Sequence, residues 1–259
     1  MTNKAMVAVC DILGFSNLVK ERPLEEVINY HIKNYHIVLE SSIPQVKNQS
    51  TAPTPLDILK QGLVGFVSFS DTVLIYSLID ERDGYRNVIN AVTRLIAGPI
   101  LWPEYRFRAG IAYGEFYQNS EKNIYVGKAI IEAYELEKKQ EWCGGALTEL
   151  AAEKTRNQFP DNYYLTQYEV PVKSHDSHSD SHSTEPHLVI NWTLADHDVI
   201  DKDYGWLKTN YGVPLTEQQE KIERKLKNTE KFHFDKCNQC KAHRNYLDRN
   251  GNKVIDTND

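Results

Sequence analysis

Two aspartates, Asp11 and Asp71, carry the first sign of chemistry in this chain, because each stands where an apolar run stops. Met6 to Val9 lead into Asp11, with Gly14-Phe15 following. Val64 to Phe69 lead into Ser70-Asp71, and Thr72 to Tyr76 lead away. A Ser-Asp dipeptide between two apolar runs reads as a hairpin tip, which puts one carboxylate at a strand end and the other at an adjacent turn. Carboxylates so placed can share hard cations such as Mg2+ or Mn2+ and leave coordination positions open for phosphate oxygens. Taken singly, each aspartate is explained as a helix cap or a turn residue. Their pairing is what favours a metal centre.

These aspartates need elements to hold them. Residues 5–15 are apolar on both faces, as in a central strand. After Pro23, Val27, Ile28, Tyr35, Val38 and Leu39 fall at near-helical spacing as far as Pro44, so one helix face packs on a sheet. Residues 45–60 are polar, carry Pro53 and Pro55, and read as a loop or lid. A hairpin over 62–80 comes next, then a helix over 85–97 stopped by Gly98-Pro99. A strand over 105–116 carries Gly110 and Gly114, where another element or a ligand comes close. Ile124 to Gly127 lead into a helix over 128–141. A short strand at 146–148, a short helix at 149–157 and strands at 163–172 and 187–192 complete the pattern. The order strand–helix–strand–strand–helix–strand predicts an α+β fold with a ferredoxin-like core, an antiparallel sheet with helices on one face.

The 259 residues fit one large domain, 1–195, and a polar extension, 196–259. In the extension a helix over 217–231 has only Ile222 and Leu226 as apolar residues, so it is expected as a peripheral helix lying on the domain or reaching a partner subunit. A net charge of −6 argues against a nucleic-acid surface. Nothing approaches a membrane span, and the first residues lack a signal peptide's apolar core. Cys10, Cys143, Cys237 and Cys240 show no dense disulfide spacing, which points to a reducing, cytoplasmic setting. The His/Ser/Asp-rich tract at 173–186 reads as a solvated loop. Cys237 and Cys240 form a single CxxC that the flanking His233 and His243 could complete as a zinc site, but one CxxC in a polar tail is a weak signal and leaves zinc binding open. Residues 248–259 echo a calcium loop, but Lys253 stands where its glycine belongs, so they read as a polar hairpin or tail.

With these residues in place, the chain resembles the class III nucleotide cyclases, and its later pattern resembles the bacterial pyrimidine cyclases of Pycsar anti-phage defence. Val9-Cys10-Asp11-Ile12-Leu13-Gly14-Phe15-Ser16 is similar to the family's first metal motif, and Ser70-Asp71 to its second. Phe107-Arg108-Ala109-Gly110-Ile111 is similar to its Arg-x-Gly-Ile strand. Gly127, Ala133, Leu136-Glu137, Gln140 and Trp142 match the pyrimidine-cyclase pattern. The resemblance implies two ions, Mn2+ or Mg2+, held by Asp11, Asp71 and the Ile12 carbonyl. It implies backbone N–H groups over Leu13 to Ser16, including Gly14, Phe15 and Ser16, cradling phosphate at a helix start. It also implies a homodimer, since two subunits form each site in this family.

The chain departs from the family where the ribose and the base are read. Ile131 and Glu135 stand where the family helix carries Asn and Arg, and Val67 and Ile124 replace the polar pair that reads a purine edge. Apolar groups there would leave a purine with unpaired donors and acceptors. The expected substrate is therefore a pyrimidine nucleotide, and the resemblance implies UTP first, with CTP as the alternative. The product would be cyclic UMP, a second messenger for a cyclic-nucleotide-gated effector. An inactive dimeric regulatory module is the second reading, and an ordinary adenylate cyclase the third. Lys138 and Arg108 are the candidates for the missing transition-state cation, with Lys139 beside them.

Overall fold

A computed structural model describes residues 3–43, 61–97, 106–158, 164–173, 183–194, 217–236, 245–247 and 253–255. The expected lid at 45–60, the 174–182 stretch of the His/Asp-rich tract and Cys237 and Cys240 lie outside these residues. In chain order the first half runs β1 (Asn3–Ile12), α1 (Phe15–Glu21), α2 (Leu24–Glu26), π-helical turns (Val27–Ile32), α3 (Lys33–Ser42), β2 (Gly65–Phe69), β3 (Thr72–Tyr76) and α4 (Arg82–Ala97). It continues β4 (Phe107–Asn119), β5 (Ile124–Val126), α5 (Lys128–Lys139), β6 (Gly145–Leu147), α6 (Glu149–Gln158), β7 (Leu165–Val172), β8 (Ser183–Ile190) and α7 (Glu217–Lys236). A small antiparallel hairpin, β9 (Asn245–Leu247) with β10 (Lys253–Ile255), follows.

The sheet order is β2-β3-β1-β4-β6-β8-β7, and its first four strands form the expected ferredoxin-like core, antiparallel throughout. β1 sits at the centre because its residues are buried on both sides. Met6, Ala8, Cys10 and Ile12 face the main core, built with α3 and α4, and Ala5, Val7 and Val9 face a smaller cluster closed by Ala129 and Ala133 of α5. α4 supplies Val88, Ile89, Val92, Leu95 and Ile96 to the main core at helical spacing.

Two details of the expected sheet need correction. β4 and β6 run parallel, because α5 is the crossover between them. Helices also cover both faces: Gly110 of β4 has no side chain, and a Cβ there would overlap the Ala133 carbonyl oxygen and lie 2.6 Å from the Glu137 nitrogen. That absent side chain lets α5 lie flat on the face opposite α3 and α4.

β8 begins at Ser183, four residues before the expected His187. Its polar start pairs with β7 through backbone contacts that need no apolar side chains, from Val172↔Ser183 to Leu165↔Ile190. α7 extends five residues beyond its expected end. Its Phe232 is fully buried among Trp142, Tyr168 and Trp192, with ring centroids 4.7, 4.8 and 5.6 Å away. The C-terminal helix thus lies on the domain, with Phe232 anchored in the main core.

Candidate functional site

Strand pairing delivers the two aspartates to one place. Asp11, next to the last residue of β1, lies opposite Thr72 of β3 and Arg108 of β4, so Asp71 precedes the cross-strand neighbour of Asp11. Ser70 takes left-handed backbone, with φ 56°, to make the tight β2–β3 turn that carries Asp71. Burial pushes the Asp11 carboxyl up to about 7, with the charges of Glu137 and then Asp71 adding to it and those of Arg108 and Lys225 opposing it. A carboxylate destabilised by burial and by other carboxylates is one that a divalent cation would stabilise. The donor set, two carboxylates with the Ile12 carbonyl beside them, therefore fits a hard cation with open positions. Among the described residues, no three His, Cys, Asp or Glu side chains form a closed metal cage.

Arg108 is buried, and its guanidinium is committed. Nε and Nη2 pair with the buried Glu137 of α5, and Nη1 donates to the Gln140 carbonyl at 2.7 Å. Nη2 lies 3.9 Å from Asp11 Oδ2. Its planar fork suits such pairing. Gln140 locks the end of α5 to β4: Nε2 donates to the Ala109 carbonyl at 2.8 Å, and Oε1 accepts from Trp142 Nε1 at 2.8 Å. The Gln-x-Trp spacing in the sequence is this lock.

The other candidates fall at varied distances from the carboxylates. Gly14 begins α1 with φ 86°, a left-handed conformation that glycine adopts at little cost. The Leu13 N–H donates to the Arg106 carbonyl at 2.9 Å, so the phosphate cradle expected over 13–16 shortens to Gly14, Phe15 and Ser16. The Phe15 side chain is buried in the main core, which leaves only its backbone for a ligand. Val67 packs against the smaller cluster, while Ile124 is exposed on β5. Lys138 lies on the exposed face of α5, its Nζ 4.7 Å from the centre of the Tyr134 ring. Lys139 pairs with Glu185 of β8.

Three charged residues around Arg108 were assigned no chemistry in the sequence reading. Glu137 falls on the buried stripe Ala129–Ala133–Glu137, and a carboxylate on an apolar stripe is a signal of a buried partner. Lys173, just past β7, and Lys225, on α7, are each pushed below the usual lysine range by burial first, and next by the charge of Arg108. Lys225 also lies on a stripe, Ile222–Lys225–Leu226–Thr229–Phe232, that marks the docked face of its helix.

No protein-family model and no curated protein matches this chain. Solved structures do. Trypanosoma brucei adenylate cyclases, described in their monomeric state, align with TM-score 0.50 at 10% identity over 73% of this chain and 90% of theirs. An adenylate/guanylate cyclase/hydrolase from Silicibacter pomeroyi aligns with TM-score 0.46 at 12% identity, over 73% and 98%. A dimeric guanylyl cyclase domain from the aquatic fungus Blastocladiella emersonii aligns with TM-score 0.47 at 13% identity, over 72% and 95%. None of the described helices is long and apolar enough to cross a membrane. The ferredoxin-like half and the β4–α5–β6 crossover together make the fold of a class III nucleotide cyclase catalytic core.

Proposed function

We propose that this protein is a pyrimidine nucleotide cyclase that converts UTP to 3′,5′-cyclic UMP and pyrophosphate, with CTP as the alternative substrate. The observation that carries the proposal is the meeting of Asp11 and Asp71 at neighbouring strand ends, with burial and like charge holding the Asp11 carboxyl at about 7. Asp11, Asp71 and the Ile12 carbonyl would hold two ions, Mn2+ or Mg2+. When bound, the ions supply the charge that makes the ribose 3′-hydroxyl a nucleophile and that neutralises the triphosphate.

The chain's own residues do the rest. The left-handed Gly14 starts α1 immediately after the metal-binding strand, so the free N–H groups of the first turn meet phosphate oxygens. Glu137 and the Gln140 carbonyl fix the Arg108 guanidinium beside Asp11 and keep the strand end rigid. Ile131 and Glu135 are exposed on α5 and offer no amide or guanidinium to a ribose. The apolar Val67 and Ile124 support a pyrimidine over a purine, whose edge groups would go unpaired beside them. Ile131 and Tyr134 on α5 and Ile124 and Val126 on β5 are exposed apolar side chains, which supports a homodimer. The cyclic nucleotide would signal to a cyclic-nucleotide-gated effector in the cytoplasm as part of anti-phage defence.

The test is incubation with each of the four common ribonucleoside triphosphates and Mn2+, with the products separated by chromatography. Cyclic UMP or cyclic CMP is expected, with purines turned over about a hundredfold less well, as roughly 3 kcal/mol of unpaired polar groups requires. Asp11→Ala and Asp71→Ala should each abolish product while leaving the circular dichroism spectrum unchanged. Equal turnover of ATP or GTP would return the chain to the purine cyclases. No product from any substrate would leave a non-catalytic dimeric module.

A further inference from the structure

α7 belongs to no part of the ferredoxin-like core, yet it closes over the turn that follows α5. Thr229 Oγ1 accepts from the Cys143 N–H at 2.8 Å, and Asn228 Nδ2 donates to the Glu141 carbonyl at 2.7 Å. Leu226 and Phe232 are buried on the same helix face. These contacts fix the rotation of the helix. Lys225, one turn before Thr229, therefore presents its side chain to the segment whose first carbonyl, that of Gln140, holds Arg108 beside Asp11.

The Lys225 ammonium is close to this segment without being consumed by it. Nζ lies 3.8 Å from Glu141 Oε1, longer than a hydrogen bond, and the side chain is 20% exposed. The other oxygen of Glu141 faces Arg224 Nη2 at 3.4 Å. The positive charge of Lys225 reaches Asp11, and burial already weighs on its charged form. An ammonium half withdrawn from water, with only a loose carboxylate neighbour, is stabilised by an arriving anion. The fork of Arg108 is taken up by Glu137 and Gln140, so it has little left to give such an anion.

We propose that Lys225 of the C-terminal helix is a substrate-binding residue that holds the polyphosphate of the nucleotide beside Asp11. The assignment rests on the cyclase reading for the identity of its ligand, and it gives that site a cation from outside the cyclase-like core. Lys225 touches phosphate oxygens and takes no proton. Arg224, its neighbour, meets the same Glu141 from a more exposed position and serves only to tie the helix down.

Calorimetric titration of the full chain with inorganic tripolyphosphate in Mn2+ buffer tests this without requiring turnover. Lys225→Met is expected to weaken binding at least about tenfold, Lys225→Arg to restore most of it, and Arg224→Met to stay within about twofold of wild type. In turnover assays the KM for UTP should rise in Lys225→Met more than kcat falls. Tripolyphosphate should also protect Lys225 from amine acetylation in the wild-type protein, a measurement that holds even if the methionine variant fails to fold. Unchanged tripolyphosphate affinity in a folded Lys225→Met variant, an equal loss in Arg224→Met, or no protection of Lys225 would overturn the proposal. Lys225-dependent binding with no cyclic product would instead defeat the cyclase reading and leave a polyphosphate site. Turnover with Lys225-independent binding would do the reverse.

Discussion

Met6, Ala8, Cys10 and Ile12 of β1 meet a deep core assembled from α3 and α4, whereas Ala5, Val7 and Val9 meet a thin layer closed by Ala129 and Ala133 of α5. The alternation that puts Val7 and Val9 on the thin side puts Asp11 there too, together with its cross-strand partner Arg108. One face therefore supplies bulk, and its large side chains hold the strands in place. The other uses small residues so that backbones approach closely, and its open end carries charge. A site built on the thin face inherits rigidity from the thick one without being crowded by it.

This contrast can be broken from either side. The largest loss is expected at the buried pair on the thin face. Arg108→Met leaves Glu137 buried without its partner, at a cost of about 3–5 kcal/mol in denaturant unfolding, and the double variant Arg108→Met/Glu137→Met should recover much of that. On the thick face, Leu95→Ala should cost about 3 kcal/mol by leaving a cavity, yet metal affinity should stay at the wild-type value in the folded protein. A change in Mn2+ affinity there would show that the faces are not independent.

The close approach is tested by two glycines on one strand. Gly110→Ala must push α5 away and should cost about 1–3 kcal/mol along with activity. Gly114→Ala meets Ala129 Cβ at an ordinary 3.7 Å and should be nearly silent by the same measurements. A further test of the thin face concerns pH. The folded-state pKa of Asp11 is raised to about 7 from 3.8, so the folded protein holds a proton that the unfolded chain has released. In metal-free buffer, stability should fall as pH rises from about 4 through 7, by about 1 kcal/mol between pH 6 and pH 8. Asp11→Asn or saturating Mn2+ should flatten that slope, and a slope of opposite sign would remove Asp11 from the carboxylate cluster.

Much of the thick face was legible in the sequence, because hydrophobic periodicity reports one-sided burial. Val88, Ile89, Val92, Leu95 and Ile96 mark α4 at the spacing a helix needs, and the strand order around Asp11 and Asp71 gave the ferredoxin-like core. The thin face was harder to read. Arg108 looked like a spare cation because its partner Glu137 stands 29 residues away; the apolar stripe around Glu137 signals a buried partner, but nothing local says which one. β6 is three residues long, too short for its parallel register to be read. The charged composition of α7 hid a docked stripe, because Lys225 and Thr229 occupy positions where a periodicity count looks for apolar residues. What the sequence hides here is polar burial, which depends on partners distant along the chain.

The clasp between Cys143 and Thr229 joins residues 86 positions apart. On a ribosome adding roughly 5–20 residues per second, the turn after α5 waits on the order of ten seconds for the helix that covers it. Through that interval Trp142 and Tyr168 lack the Phe232 ring that packs against them in the finished molecule. A nascent chain with its sheet already formed would still show solvent an aromatic patch at the edge of the main core.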